Sequence, residues 1–140
     1  FSKYVTSTFD NKAILDPEDD AAHVKWGGNW RMPTYEESIG LVKGNLTREW
    51  TDNYNGTGVA GYIVTSNVEG YEGNSIFFPA AGYYKKDNSL TGVGSSCSYW
   101  LSTLSWSSFA YGDLMAFSST LFGWSIQNRS SGRTIRPVCD

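Results

Sequence analysis

Hydrophobic and polar positions follow a helical spacing near the N-terminus and a strand-like spacing over the rest of the chain. The stretch 16–26 (DPEDDAAHVKW) predicts a short helix, because Asp16 is a suitable N-cap and Pro17 fits the first helical position. The acids that follow are favoured in the positively polarised first turn. Gly27 and Gly28 are expected to end this helix.

A second helix is predicted in MPTYEESIGLVKG. Thr34 and Glu37 have the spacing of a capping box, in which each side chain accepts a hydrogen bond from the other's backbone N–H. Apolar residues at positions 39, 41 and 42 supply one buried stripe, and Gly44 is placed to end the helix.

Beyond Leu46 the chain consists of short alternating or aromatic runs separated by Gly, Asn, Asp and Ser, a pattern typical of hairpins and meanders. The predicted strands are 61–66, 75–84, 98–104, 110–118, 122–127 and 134–138. Two helices followed by a mainly antiparallel β half predict an α+β fold rather than a parallel α/β sheet.

The composition is consistent with one domain whose core is filled largely by rings. A chain of 140 residues supports a single core, and 16% of the residues are aromatic, with six Trp and nine Tyr. The residues expected in this core are Trp100, Phe117, Trp124, Ile135 and Val138. We expect one domain over 1–140, as the C-terminal part of a longer protein.

Charge and hydropathy argue against two classes of partner. The net charge is −3, and no cationic run exceeds Lys85–Lys86, so nucleic acid is not expected as a ligand. No window approaches the ~20 apolar residues of a membrane span, which excludes direct membrane insertion by a helix.

Cys97 and Cys139 match no metal-binding or redox spacing and are either free thiols or one disulfide.

The sequence lacks the combinations of residues that most catalytic mechanisms require. His23 is the single histidine, and its position inside the first predicted helix favours a structural role over a general base. The acids at 16–20 are better explained by the start of a helix than by a calcium site. Asp113 is the lone acid of the aromatic β region, which is too few for a carboxylate pair. We therefore expect no enzyme activity, no metal and no cofactor.

Four segments, DDAAHVKWGGNWRMPTYEE, NSIFFPAAGYY, SYWLST and NRSSGRTIRPV, occur in this order along the chain. Together they resemble the formylglycine-generating-enzyme-like branch of the C-type lectin fold, in a domain abundant in exported proteins of gut anaerobic bacteria. The resemblance covers about 11–139. It implies a C-type-lectin-like fold and an extracellular location, on a bacterial cell surface or a virion.

The segment from Ser98 to Val138 is also similar to the variable region of proteins encoded by diversity-generating retroelements, such as phage tail-tip receptor-binding proteins. In such proteins, exchangeable residues stand on a fixed aromatic scaffold. This chain has other residues where relatives often have Asn, at Leu121, Gly123, Ser125, Ile126, Gln127 and Ser131. The resemblance thus implies a ligand-binding domain, displayed on a cell surface or phage tail fibre, that recognises a protein or a glycan.

The candidate site residues are those of the β half that do not fit a core pattern, because exposed aromatic groups beside small polar residues are typical of interfaces. They are Leu101, Ser105, Trp106, Phe109, Tyr111, Asp113, Leu121, Gly123, Ser125, Ile126 and Gln127. Gly123, Ser125 and Gln127 are expected to face a partner while Trp124 packs inward. Arg129 and Arg136 are expected to fix loops by bonds to backbone carbonyls or carboxylates. Trp26, Trp30, Arg31, Met32 and Pro33 are expected to be scaffold.

Two other functions stay open at this point. The first is an enzyme related to the formylglycine-generating type, which needs two cysteines held close together. The second is a structural module of a surface fibre or adhesin, in which the aromatic face packs against another subunit of a homo-oligomer.

Overall fold

The computed structural model describes residues 12–105 and 110–140. Over these residues the fold is mixed α+β, with two α-helices and mostly antiparallel sheets, as predicted. The helices are α1 (Ala21–Trp26) and α2 (Tyr35–Lys43), and Tyr54–Gly56 form a 3₁₀ turn. The strands are β1 (Trp30–Arg31), β2 (Leu46–Thr51), β3 (Gly61–Ser66), β4 (Ser75–Pro79), β5 (Ala81–Tyr84), β6 (Leu90–Val93), β7 (Ser96–Leu104), β8 (Tyr111–Ser118), β9 (Leu121–Asn128) and β10 (Val138–Cys139).

Helix α1 begins at Ala21, so the prediction that Asp16 caps it is wrong. The N-cap is Asp20, whose carboxylate accepts a hydrogen bond from the backbone N–H of Ala22 at 2.8 Å. The other oxygen of the same carboxylate accepts from the N–H of Met32, also at 2.8 Å. Because Asp20 also ties the helix to the chain after β1, it is the more effective cap, and the acids before it form a turn.

The remaining helix ends agree with the predictions. Gly27 ends α1 with a positive φ of 67°, which glycine adopts without strain. At the start of α2, the Thr34 hydroxyl accepts from the backbone N–H of Glu37, and the Glu37 carboxylate accepts from the N–H of Thr34 at 2.7 Å. Gly44 ends α2, donating its N–H to the carbonyl of Gly40 at 2.9 Å.

The strands form three sheets, with two strands (β1–β10), three strands (β2–β3–β4) and five strands in the order β6–β5–β7–β8–β9. Neighbours within each sheet run antiparallel except β5 and β7, which are parallel at the pair Gly82 and Cys97. Strand β9 therefore lies at an edge of the largest sheet, and β7 lies at its centre.

The predicted strand 75–84 is two strands, β4 and β5, which belong to different sheets. The chain changes sheet at Ala80, whose N–H donates to the carbonyl of Ala60 at 2.7 Å. Gly82 follows with a φ of 71°, and a Cβ there would lie 2.4 Å from the carbonyl oxygen of Thr91. A residue other than glycine would not allow this close approach of β5 to β6.

The C-terminal segment is less regular than the predicted strand 134–138. Gly132 and Thr134 lie between β5 and β7, where those two strands separate. Gly132 donates to the Tyr84 carbonyl at 3.1 Å, and Thr134 donates to the Ser98 carbonyl at 3.2 Å. After this crossing the chain ends in the short strand β10 against β1.

The core lies between the five-stranded and three-stranded sheets. Its buried members are Tyr62, Val64, Phe78, Cys97, Tyr99, Met115 and Phe117, with Leu41, Leu46, Trp50 and Phe122 packed around them. Rings contact rings throughout, for example Tyr99 and Phe117 with centroids 5.7 Å apart. Among the predicted core residues, Phe117 is buried, whereas Trp100, Ile135 and Val138 are half-buried. The ring-filled core predicted from the composition is confirmed.

Neither helix of the described chain is long and apolar enough to cross a membrane.

Candidate ligand-binding surface

The hairpin of β8 and β9 carries most of the candidate residues. Its strands pair from Tyr111 opposite Asn128 to Ser118 opposite Leu121. Because successive side chains of a strand point to opposite faces, the candidates divide between two faces of the sheet. The inner face, shared with the core residue Phe117, holds Tyr111, Asp113 and Ile126. The outer face holds Leu121, Gly123, Ser125 and Gln127.

Three neighbouring side chains of the inner face reach solvent, and we call them the apolar patch: Tyr111, Trp124 and Ile126, which are 39%, 50% and 37% exposed. Trp124 lies on the inner face, as expected, but the prediction that it belongs to the core is wrong. Its ring meets Tyr35 edge-on, with centroids 5.4 Å apart. Tyr35 is the first residue of α2, so the helix covers this face of the sheet only as far as Trp124. Half of the indole therefore stays exposed.

Asp113 lies under the apolar patch, directly opposite Ile126 in the ladder. It is 7% exposed, and its Oδ1 atom is buried without a hydrogen-bond partner in the described chain. Burial raises the pKa of this carboxyl, and the nearby charge of Glu36 raises it further. A buried acceptor without a donor lowers the stability of the folded state. Asp113 Oδ1 is therefore an unsatisfied hydrogen-bond acceptor beside an exposed apolar surface.

Four other candidates do not contribute to the described surface. Leu101 and Ser105 are buried, at 5% and 0% exposure, so neither presents its side chain to solvent. Trp106 and Phe109 lie outside the described residues.

On the outer face, β9 presents a row of accessible positions. Leu121 is 59% exposed, and a Cβ at Gly123 would meet no described atom within 4 Å. Ser125 and Gln127 line a depression together with Lys85, Lys86 and Arg133. The sequence did not identify these three cations as site residues, because they come from two segments that are far apart in the chain.

Two arginines hold the surrounding frame by bonds to backbone carbonyls, as predicted. Arg129 donates from Nε to the carbonyl of Tyr111 at 2.9 Å. Arg136 donates from Nη1 to the carbonyl of Phe77 at 2.9 Å, and its guanidinium lies 5.3 Å from the centre of the Phe78 ring. Arg129 thus ties the residue after β9 to the start of β8, which limits the motion of the hairpin.

Arg31 joins α2 to the C-terminus. Its guanidinium donates twice to the Glu37 carboxylate, at 2.9 and 2.8 Å, and twice to Asp140, at 3.0 and 2.6 Å. Hydrogen bonding to Arg31 lowers the pKa of Glu37 to about 2. Met32 is buried nearby, and His23 lies with Nδ1 3.3 Å from the carbonyl oxygen of Trp30. These contacts agree with the scaffold role expected for Arg31 and Met32, whereas Trp26 and Trp30 are 54% and 41% exposed.

The cysteines are both free, and they lie in different sheets. Cys97 is buried in β7, with its sulfur 3.6 Å from the Thr134 hydroxyl oxygen, whereas Cys139 is exposed in β10.

The acidic groups of Asp16, Glu18 and Asp19 lie within 4.8 Å of one another, and Asp16 is paired with Lys12.

Comparison of the chain with protein-family models, with curated proteins and with solved structures finds no match.

Proposed function

We propose that the domain is a recognition module that binds a protein or a glycan through the apolar patch and Asp113. One observation carries this proposal: Tyr111, Trp124 and Ile126 are exposed side by side around a buried carboxylate whose Oδ1 has no donor in the described chain. Contiguous exposed apolar side chains mark interaction sites more often than isolated ones do.

The chemistry of this surface is suited to a ligand with both apolar and hydrogen-bonding groups. Tyr and Trp provide a large contact area and lose little side-chain entropy on binding. A hydroxyl or N–H group of the ligand would satisfy Asp113 Oδ1 and offset the cost of its burial. Sugars and polypeptides both offer such groups next to apolar surface.

The surface is also held in place before any ligand arrives. Tyr111 and Ile126 lie on paired strands, Arg129 binds the Tyr111 carbonyl, and Tyr35 supports one edge of Trp124. A surface that is already ordered binds with a smaller entropic cost than a flexible one.

We further propose that the fold is C-type-lectin-like and that β9 is a strand of exchangeable residues, as in retroelement-diversified proteins. The two helices, the antiparallel β half and the accessible side chains of the edge strand β9 support this proposal. We also propose that the domain is displayed on a bacterial surface or on a virion, for example on a tail fibre. This location is supported only by the resemblance of the sequence segments to exported and phage proteins. Separation of Cys97 and Cys139 into different sheets favours recognition over an enzyme of the formylglycine-generating type.

The test compares the unmodified protein with Trp124→Ala/Ile126→Ser on arrays of glycans and of surface proteins. Trp26→Ala is the matched control, because Trp26 is 54% exposed and lies on α1. We expect the double variant to lose the bound ligands and the control to keep them, with similar melting temperatures for all three proteins. Equal binding by the double variant would contradict the proposal.

Sedimentation of the same proteins tests the alternative of a fibre module. A stable oligomer that dissociates in Trp124→Ala/Ile126→Ser, together with no array binding, would assign the patch to assembly instead of recognition.

A further inference from the structure

A second site lies on the outer face of the five-stranded sheet, on the other side of β9 from the apolar patch. It is a depression of about 300 Å³. Three cationic side chains line it, Lys85, Lys86 and Arg133, together with the neutral polar residues Ser98, Ser125 and Gln127. The volume is at the lower end of the range for small-molecule sites and is sufficient for one sugar residue.

Arg133 is the central group of this basic depression. Its guanidinium lies over the ring of Tyr83, with the central carbon 4.1 Å from the ring centroid. Nε and Nη1 are buried without a hydrogen-bond partner among residues 12–105 and 110–140. An arginine that stacks on a ring and lacks an acceptor retains its capacity for a paired interaction with an oxyanion.

The backbone on both sides of Arg133 is fixed. Gly132 exchanges two hydrogen bonds with Tyr84, at 2.9 and 3.1 Å, and Thr134 donates to Ser98. The guanidinium is therefore held against Tyr83 by a short, anchored segment. Arg133 also lines the depression, so its guanidinium lies beside the space that an oxyanion would occupy.

The local charge opposes that of the whole chain, whose net charge is −3. None of the described residues that line the depression is acidic. The nearby acid Asp87 accepts from the backbone N–H and the hydroxyl of Ser89, at 2.9 and 2.6 Å, and also interacts with Lys85. Asp87 thus offsets part of the charge of Lys85, whereas Lys86 and Arg133 form no ion pair with an acidic residue of the described ranges.

We propose that the basic depression binds the acidic group, a carboxylate or a sulfate, of an acidic sugar. Arg133 supplies a planar pair of donors for two oxygens of this group, and the two lysines add attraction for its charge. Ser98, Ser125 and Gln127 offer partners for the ring hydroxyls of the sugar. An amino acid carboxylate lacks those hydroxyls and would use only the cationic part of the site.

The test is a two-dimensional NMR titration of the full ¹⁵N-labelled chain at constant ionic strength. The probes are glucuronic acid, glucose 6-sulfate, glucose as the neutral control, glutamate and inorganic sulfate. We expect both acidic sugars to give saturable shifts at 85–86, 125–127 and 131–133, and glucose to give none. A preference for one acidic sugar would identify the carboxylate or the sulfate as the natural group.

Lys85→Gln/Lys86→Gln and Arg133→Lys test the site without removing its packing. Each is expected to weaken binding of the acidic sugars by about tenfold, through loss of charge in the first and of the planar donor pair in the second. Lys25→Gln/Lys43→Gln removes the same charge from α1 and α2 and should leave the affinity unchanged. Trp124→Ala should also leave it unchanged, so this site and the apolar patch are tested independently.

Several results would overturn the proposal. Binding of glucose or of glutamate as tight as that of glucuronic acid would show that the site does not recognise an acidic sugar. Shifts with inorganic sulfate alone would indicate an adventitious ion only. Unchanged affinity in both site variants would show that Arg133 and the lysines have no role in binding.

Discussion

Strands β8 and β9 are paired residue for residue, yet their side chains have different environments. Five of the eight residues of β8 are buried, and none of the eight in β9 is. The difference follows from their places in the sheet, since β8 lies between two strands and β9 forms the edge. We infer that β8 stabilises the fold and that β9, apart from Phe122, which packs against the core, can change its side chains at little cost in stability.

The largest expected effect compares one substitution on both strands. Leu114 on β8 is 1% exposed and Leu121 on β9 is 59% exposed. Leu114→Ala should lower the free energy of unfolding by about 2–5 kcal/mol, because it leaves a cavity. Leu121→Ala should change it by less than about 0.5 kcal/mol. Urea denaturation measures both, and similar losses would remove the distinction between the strands.

Glycine substitutions test the same distinction by adding an atom. A Cβ at Gly112 on β8 would lie 3.0 Å from the Trp100 ring, whereas one at Gly123 on β9 meets nothing within 4 Å in the described chain. Gly112→Ala should cost about 1–3 kcal/mol through overpacking. Gly123→Ala should be neutral or stabilise by up to about 1 kcal/mol, since it restricts the unfolded chain. A larger loss at Gly123 would contradict the open position described for it.

Asp113 is the exception on β8, because its burial lowers stability instead of raising it. Its pKa is raised in the folded state, so folding stability falls as pH rises from the carboxyl's ordinary pKa of 3.8 through the raised value. Asp113→Asn should therefore be more stable than the unmodified protein by about 1 kcal/mol at neutral pH and equal to it near pH 3. Melting curves across pH measure this difference, with the exposed Glu49→Gln as the control. A loss of stability at neutral pH would show that Asp113 supports the fold.

The smallest effect concerns the frame outside the hairpin. The pKa of Glu37 is about 2, below its ordinary value of 4.5, so its contribution to stability is present above pH 4.5 and is lost as pH falls toward 2. Because the Glu37 side chain is 42% exposed, solvent screening should keep this contribution below about 1 kcal/mol. In Glu37→Gln, folding stability measured from pH 5 to pH 2 should lack this loss. A loss of the same size in the variant would show that the Arg31–Glu37 ion pair does not cause it.

Local signals in the sequence predicted the features that depend on neighbouring residues. The capping box of Thr34 and Glu37, the ends of α2 and the strand 61–66 agree with the structure. Two short strands, β1 and β6, and the longer β2 were not predicted. Strand β2 carries Arg48 and Glu49 between apolar residues, and the Arg48 side chain is used to bind the carbonyls of Leu41, Gly44 and Leu46.

Features that depend on distant residues were not predictable from spacing. Asp20 replaces Asp16 as the cap of α1 because its carboxylate also accepts a hydrogen bond from the Met32 N–H. Trp124 is half exposed because it meets α2 only at Tyr35, the first residue of that helix. The basic depression combines Lys85 and Lys86 with Arg133, which come together only when the C-terminal segment lies between β5 and β7. Sheet topology, not sequence period, determines these contacts.

The most direct test of the central claim randomises five positions on each strand of the hairpin and measures how many variants fold. The β9 set is Leu121, Gly123, Ser125, Ile126 and Gln127, and the β8 set is Gly112, Asp113, Leu114, Met115 and Phe117. Both libraries are displayed on yeast and sorted for resistance to protease. We predict that most β9 variants fold and that few β8 variants do. Equal folded fractions in the two libraries would contradict the account of β9 as a strand of exchangeable residues on a fixed scaffold.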